Sequence, residues 1–155
     1  MTDLTDLLRA DAVLTGVGAL GKKPLFATLA AALARQTGGD ARQIAEALAE
    51  REKLGSTGFG GGVAIPHAKL AGVGQVTAVF ACLSHPLDYD AVDGAPVDLV
   101  MALLSPANAG AEHLKALARV SRRLRDRAFL AKLRGAGSPD ALYALFGADV
   151  ARDAA

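Results

Sequence analysis

A chain of 155 residues, 52% hydrophobic and 21% charged, has the size and apolar content of one packed domain and is too apolar for a disordered chain. Its formal net charge of +1 supplies no overall field for nucleic acid or an anionic membrane surface, so an electrostatic partner has to be recognised locally. A single cysteine excludes an internal disulfide.

The opening Met1-Thr2-Asp3-Leu4-Thr5-Asp6 lacks the basic region and apolar core of a signal peptide. Charges or Pro/Gly breaks interrupt every potential membrane span, so the expectation is a cytoplasmic protein without membrane insertion. Leu25, Leu29 and Leu33, spaced by four, predict a helix over 22–37 that Gly38-Gly39 stops. Asp40 is placed to cap a second helix running to about Lys53, with Ile44 and Leu48 inward. The run from Gly55 to Gly62 is too glycine-rich for a helix and leads into a short strand, Val63-Ala64-Ile65, which Pro66 ends at His67. Residues 75–83 and 96–104 are nearly continuous in apolar side chains, as expected of strands covered on both faces. Cys82, inside the first of them, reads as a small buried hydrophobe. From about Asn108 a helix is expected with Leu114, Leu117, Val120 and Leu124 inward and Arg119, Arg123 and Arg127 as an outer stripe. Ser138-Pro139 starts a final short helix. The pattern predicts an α/β domain of three layers, a small mixed sheet covered by helices on both faces, over residues 1–147, with a loose tail at 148–155.

A histidine directly after a glycine-rich run and a proline suggests a rigidly presented imidazole with amide donors nearby, a setting suited to phosphate. Phosphoryl transfer needs a neutral nucleophile and gains most from positioning. Histidine, with an ordinary pKa of about 6.5, supplies one near neutral pH. Spacing alone leaves an ordinary packing role for His67 open. His113, near a helix start, reads as a surface residue or as a ring kept neutral by the helix dipole, and Arg51 as a cation suited to a helix C-terminus. His85 reads as an exposed loop residue. The glycine run lacks the Gly-Lys-Ser/Thr ending of a P-loop and leads into a strand. Asp88, Asp90 and Asp93 read as turn carboxylates, since Leu99 stands where a calcium loop needs its glutamate. No cofactor and no metal site are expected, and the arginines of 119–127 suit a solvated face or an acidic protein partner rather than nucleic acid.

The stretch from Arg51 to Leu70, containing Gly55-Ser56-Thr57-Gly58-Phe59-Gly60-Gly61-Gly62 and Ile65-Pro66-His67-Ala68-Lys69, resembles the active-site signature of the phosphotransferase-system enzyme IIA proteins of the fructose, mannitol and nitrogen-regulatory group, especially the nitrogen-regulatory branch. The resemblance continues through Pro86 to Leu99, Ala102 to Pro106, and Glu112-His113-Leu114 to Arg123-Leu124. It implies a phosphotransferase/anion-transport-protein-like fold. It further implies that His67 is phosphorylated on Nε2 by a small histidine phosphocarrier, itself charged from phosphoenolpyruvate through enzyme I. His113 would sit beside it, Arg51 would belong to the same site, and protein partners would be regulated according to phosphorylation state. A fructose- or mannitol-type IIA that donates to a IIB component is the alternative within the family. A pure interaction module is the alternative outside it, and retention of His67, His113 and Arg51 together counts against that. Ala68 stands where this branch usually has Gly, and Gly61 where it often has Asn, departures expected to alter loop flexibility at most.

Overall fold

A computed structural model describes residues 3–147. The expected tail over 148–155 lies outside them. The chain begins with a strand, β1 (Leu8–Val17), followed by two helices, α1 (Lys22–Thr37) and α2 (Ala41–Lys53). Three short strands come next, β2 (Gly58–Gly60), β3 (Val63–Ala64) and β4 (His67–Leu70), then two long ones, β5 (Thr77–Leu87) and β6 (Val97–Pro106). Three helices close the domain: α3 (Gly110–Leu124), α4 (Arg127–Gly135) and α5 (Pro139–Phe146).

The helix ends follow local chemistry. Gly38 stops α1 in the left-handed conformation at φ 75°. Asp40 caps α2 by accepting from the amides of Arg42 and Gln43. Ser138 caps α5 ahead of Pro139.

The strands form one mixed sheet in the order β1-β5-β6-β3-β2, with β4 also paired to β6. β5 and β6 are antiparallel, whereas β1 runs parallel to β5, and β3 and β4 run parallel to β6. Successive residues Ala78 to Ala81 and Leu99 to Leu104 are all buried, so both faces of the central pair are covered. α1 and α2 pack on each other and against β5 and β4, while α3 to α5 form a second group against β6 and β1. The three-layer α/β architecture is therefore the one expected. Among the described residues, no helix is long and apolar enough to cross a membrane.

Four local expectations are corrected. β1 is an additional strand. It pairs with β5 through a register shift between Leu8 and Val13, which breaks the alternation that would have marked it. Pro66 interrupts a strand rather than ending one. β3 and β4 lie along β6 in one continuous register, Val63 opposite Leu99 and His67 opposite Leu103. Pro66 has no amide to donate, but its carbonyl accepts from the Leu103 amide at 3.0 Å. His85 is exposed but belongs to β5, not to a loop.

The fourth correction concerns α3, which is rotated relative to the expected face. Its buried residues are His113, Ala116, Val120, Arg123 and Leu124, while Leu114 is 67% exposed. The arginine stripe dissolves accordingly. Arg123 is buried over the Phe129 ring and donates to the Leu145 carbonyl, Arg119 forks onto Asp6, and Arg127 opens α4. A histidine and an arginine on the inner face hid its true phase from a hydrophobic pattern.

Candidate functional site

His67 opens β4, immediately after the Pro66 interruption, and its position is set by the β6 ladder. Its Nδ1–H donates to the Ile65 carbonyl at 2.7 Å, because a carbonyl can only accept. Nε2 is then the unprotonated nitrogen, with its lone pair available. Burial lowers the His67 pKa; the Ile65 carbonyl pulls it back up, Arg51 pushes it down and Glu52 pulls it up, for a net decrease. The result is a half-buried, neutral imidazole in a defined tautomer.

His113, in the first turn of α3, is brought beside it, with ring centroids 5.5 Å apart and planes tilted by 49°. It is buried rather than on the helix surface. Its pKa is also lowered, first by burial and then by the neighbouring His67 and Lys69. The helix dipole invoked from sequence is thus not the main cause. His113 Nδ1 is 2.6 Å from Oγ of Ser105, a fully buried residue of β6.

Arg51, in the last turn of α2, donates to the Gly55 carbonyl at 2.9 Å and makes no hydrogen bond to either histidine. Its positive charge still adds, after burial, to the lowering of the His67 pKa. Of the three site residues picked out by sequence, the structure thus joins two in ring contact and sets the third at electrostatic range.

Between Arg51 and the glycine run lies a polar cluster that sequence reasoning missed. Glu52 Oε1 accepts from the Thr57 hydroxyl at 2.6 Å and the Tyr89 hydroxyl at 3.2 Å. Its Oε2 accepts from the Thr57 amide at 3.0 Å and Lys22 Nζ at 2.9 Å. Burial raises the Glu52 pKa, but the donors from Thr57 and Lys22 outweigh it and the net direction is down. The Thr57 carbonyl accepts from the Ile65 amide, so the cluster connects directly to the residue that orients His67. Nothing in the sequence marks a glutamate on a helix end and a tyrosine more than thirty residues later as partners.

The glycines do not form a phosphate cradle around His67. The Gly62 carbonyl accepts from the amides of Asp98 and Leu99, four residues along β6 from the partner of His67, or about 13 Å at strand rise. The Gly61 amide is taken by Asp93 and its carbonyl by Arg134, which also forks onto Asp98. Close approach explains Gly58 and Gly62 instead: a Cβ on Gly58 would lie 2.8 Å from that of Ala91, and one on Gly62 2.5 Å from Arg134 Nη2. Gly61 has φ +69°, a conformation that Asn also tolerates, which accounts for the alternation of those two types suggested by resemblance. Ala68 is buried within β4, so that departure falls in a strand, not in a loop.

The remaining candidates stay apart from this site. Cys82 is partly buried and its thiol is pushed up to about 11, chiefly by burial, which makes it a poor nucleophile. Among the described residues no group of three or more His, Cys, Asp or Glu is placed to hold a metal ion.

Residues 6–148 match the family model for the phosphoenolpyruvate-dependent sugar phosphotransferase system, EIIA 2. A nitrogen regulatory protein of Bradyrhizobium diazoefficiens is 46% identical over 142 residues, covering 92% of this chain and 93% of that one. A nitrogen regulatory protein of Pseudomonas aeruginosa is 43% identical over 145 residues, with 92% and 94% covered. The crystal structure of nitrogen regulatory protein IIA-Ntr from Neisseria meningitidis superposes with a TM-score of 0.87 at 35% identity, covering 92% of this chain and 98% of that one. IIA mannitol from Escherichia coli shares the fold, with a TM-score of 0.74 at 20% identity over 88% of this chain and 96% of that one. With the family model matching residues 6–148 and these relatives covering 92% of the chain, the protein belongs to the EIIA 2 family of the phosphotransferase system, among relatives named for nitrogen regulation.

Proposed function

We propose that this protein is a cytoplasmic phosphoryl carrier that accepts a phosphoryl group on Nε2 of His67 from a small histidine phosphocarrier and engages regulated protein partners according to its phosphorylation state. The observation that carries the reading is the His67 hydrogen bond to the Ile65 carbonyl, which leaves Nε2 as the free nucleophile of a neutral ring. Family membership and the nitrogen-regulatory relatives support the donor and the regulatory role. In the transfer, the Nε2 lone pair forms the new N–P bond while the N–P bond to the donor histidine breaks; the electron pair stays on the donor nitrogen, and the proton on that ring's other nitrogen leaves it a neutral imidazole. The His67 proton stays on Nδ1, held by Ile65. No redox partner is needed. His113 is placed to orient the phosphoryl oxygens, and Arg51 to offset the charge of about −1.5 to −2 that a phosphoryl group brings.

The test is incubation with phosphoenolpyruvate, enzyme I and a histidine phosphocarrier, followed by mass analysis. The expected product is one acid-labile phosphoryl adduct on His67, absent from His67→Ala because neither positioning nor electrostatics replaces a missing nucleophile. An adduct on His85 or His113 overturns the assignment, and no adduct at all favours a pure interaction module. Onward transfer to a IIB domain would favour a sugar-transport component instead.

A further inference from the structure

The two imidazoles meet at the site, yet the groups that hold them differ in what they can donate. Ile65 offers His67 a carbonyl, which can only accept. Ser105 offers His113 a hydroxyl, which can do either. Ser105 is fully buried, and the His113 Nδ1 contact at 2.6 Å is the one hydrogen bond its hydroxyl makes among the described residues. If His113 Nδ1 carried the proton, the serine O–H would point into the protein with no acceptor, an arrangement that is costly for a buried donor. If the serine donates, both groups are satisfied and the imidazole proton must sit on Nε2.

We infer that Ser105 is a positioning residue for the transfer: its buried hydroxyl donates to His113 Nδ1 and so holds that ring as the Nε2–H tautomer, a hydrogen-bond donor beside the nucleophilic Nε2 of His67. The inference rests on the reading of His67 as phosphoryl acceptor for its functional meaning, though not for its structural content. The two rings are then set in opposite tautomers by the Ile65 carbonyl just ahead of β4 and by a side chain of β6. His67 presents a lone pair to phosphorus, and His113 presents an N–H to a phosphoryl oxygen. The reverse tautomer of His113 would turn a second lone pair toward the anionic group and repel it. Position 105 also sits opposite Lys69 in the parallel ladder, so the serine is fixed by strand pairing rather than by a loop.

Imidazole nitrogen NMR on the labelled protein reads each tautomer directly, without requiring turnover. In the wild type, His67 is expected to carry its proton on Nδ1 and His113 on Nε2. In Ser105→Ala, His67 is expected to be unchanged, His113 to become a mixture of tautomers, and phosphoryl acceptance to slow by about tenfold, a fraction of what a positioning group as a whole contributes. Ser105→Thr, which keeps the hydroxyl, is expected to restore the Nε2–H form and most of the rate. A wild-type His113 protonated on Nδ1, or a Ser105→Ala protein whose His113 tautomer does not move, overturns the inference. If the wild type accepts no phosphoryl group, the carrier reading fails by itself, and the tautomers still decide the role of Ser105.

Discussion

Removing the Glu52 carboxylate tests whether the cluster behind the site is a structural necessity. Its side chain is 6% exposed, and it accepts from Thr57 twice, from Tyr89 and from Lys22. In Glu52→Ala the Thr57 amide, in a residue 7% exposed, loses its acceptor, at a cost of about 1–3 kcal/mol. The Thr57 and Tyr89 hydroxyls keep each other at 2.8 Å, so they add little. Lys22, whose side chain is 29% exposed, can recover water and adds about 0–1 kcal/mol. The sum is about 1–4 kcal/mol, or a fall in Tm of roughly 2–15 °C for a chain of this size. Glu52→Gln should cost only about 1 kcal/mol, because its oxygen can serve the amide and Lys22 while its NH2 faces hydroxyls able to accept. Urea unfolding of the three proteins measures this. The folded pKa of Glu52 is depressed, so its contribution is present above the unfolded value near 4.5 and is lost as pH falls through the folded value. The gap between wild type and Glu52→Gln should therefore narrow in acid. An Ala variant within about 0.5 kcal/mol of wild type, or a Gln variant as unstable as Ala, would refute the reasoning.

Gly62→Ala should lose about 3 kcal/mol, since φ is +82° and the new Cβ would lie 2.5 Å from Arg134 Nη2 and 2.8 Å from Asp98 Oδ1. The folded variant should still accept phosphoryl at nearly the wild-type rate because this turn is remote from His67; a strong loss would restore the glycines to the phosphate site. His113→Ala should slow acceptance by about 10²-fold while leaving the adduct on His67, followed as a time course with circular dichroism as the folding control. Arg51→Ala should weaken acceptance and shorten adduct lifetime, and unchanged values would leave it as an anchor for Gly55 only. Both site histidines have depressed folded pKa values, so the unfolded chain binds more protons and their contribution is complete above pH of about 6.5. It should decline as pH falls below that, and stability that rises on acidification from 7 to 5 would contradict the burial of these rings.

Much of this molecule is legible along the chain because the relevant physics is local. Periodic leucines with a glycine stop specify α1, an aspartate cap specifies α2, and Ser138-Pro139 specifies the start of α5. Unbroken apolar runs specify β5 and β6, and the signature around His67 specifies the family. What failed were the places where a polar residue does apolar duty or a strand departs from its ladder: the bulged β1, the interruption at Pro66, and the face of α3 that buries His113 and Arg123.

Only the tertiary structure decided which groups surround His67 and His113. Glu52 meets Tyr89 across 37 positions of sequence, and Ser105 on β6 meets His113 because α3 packs against β6, while parallel pairing of β4 with β6 sets His67. Sequence spacing carries the 2.0 and 3.6 periods of single elements, and it says which residues share a face. It cannot say which proton an imidazole keeps. That depends on whether the atom opposite Nδ1 is a carbonyl, as Ile65 offers His67, or a hydroxyl, as Ser105 offers His113, and the second is brought there by the packing of α3 on β6.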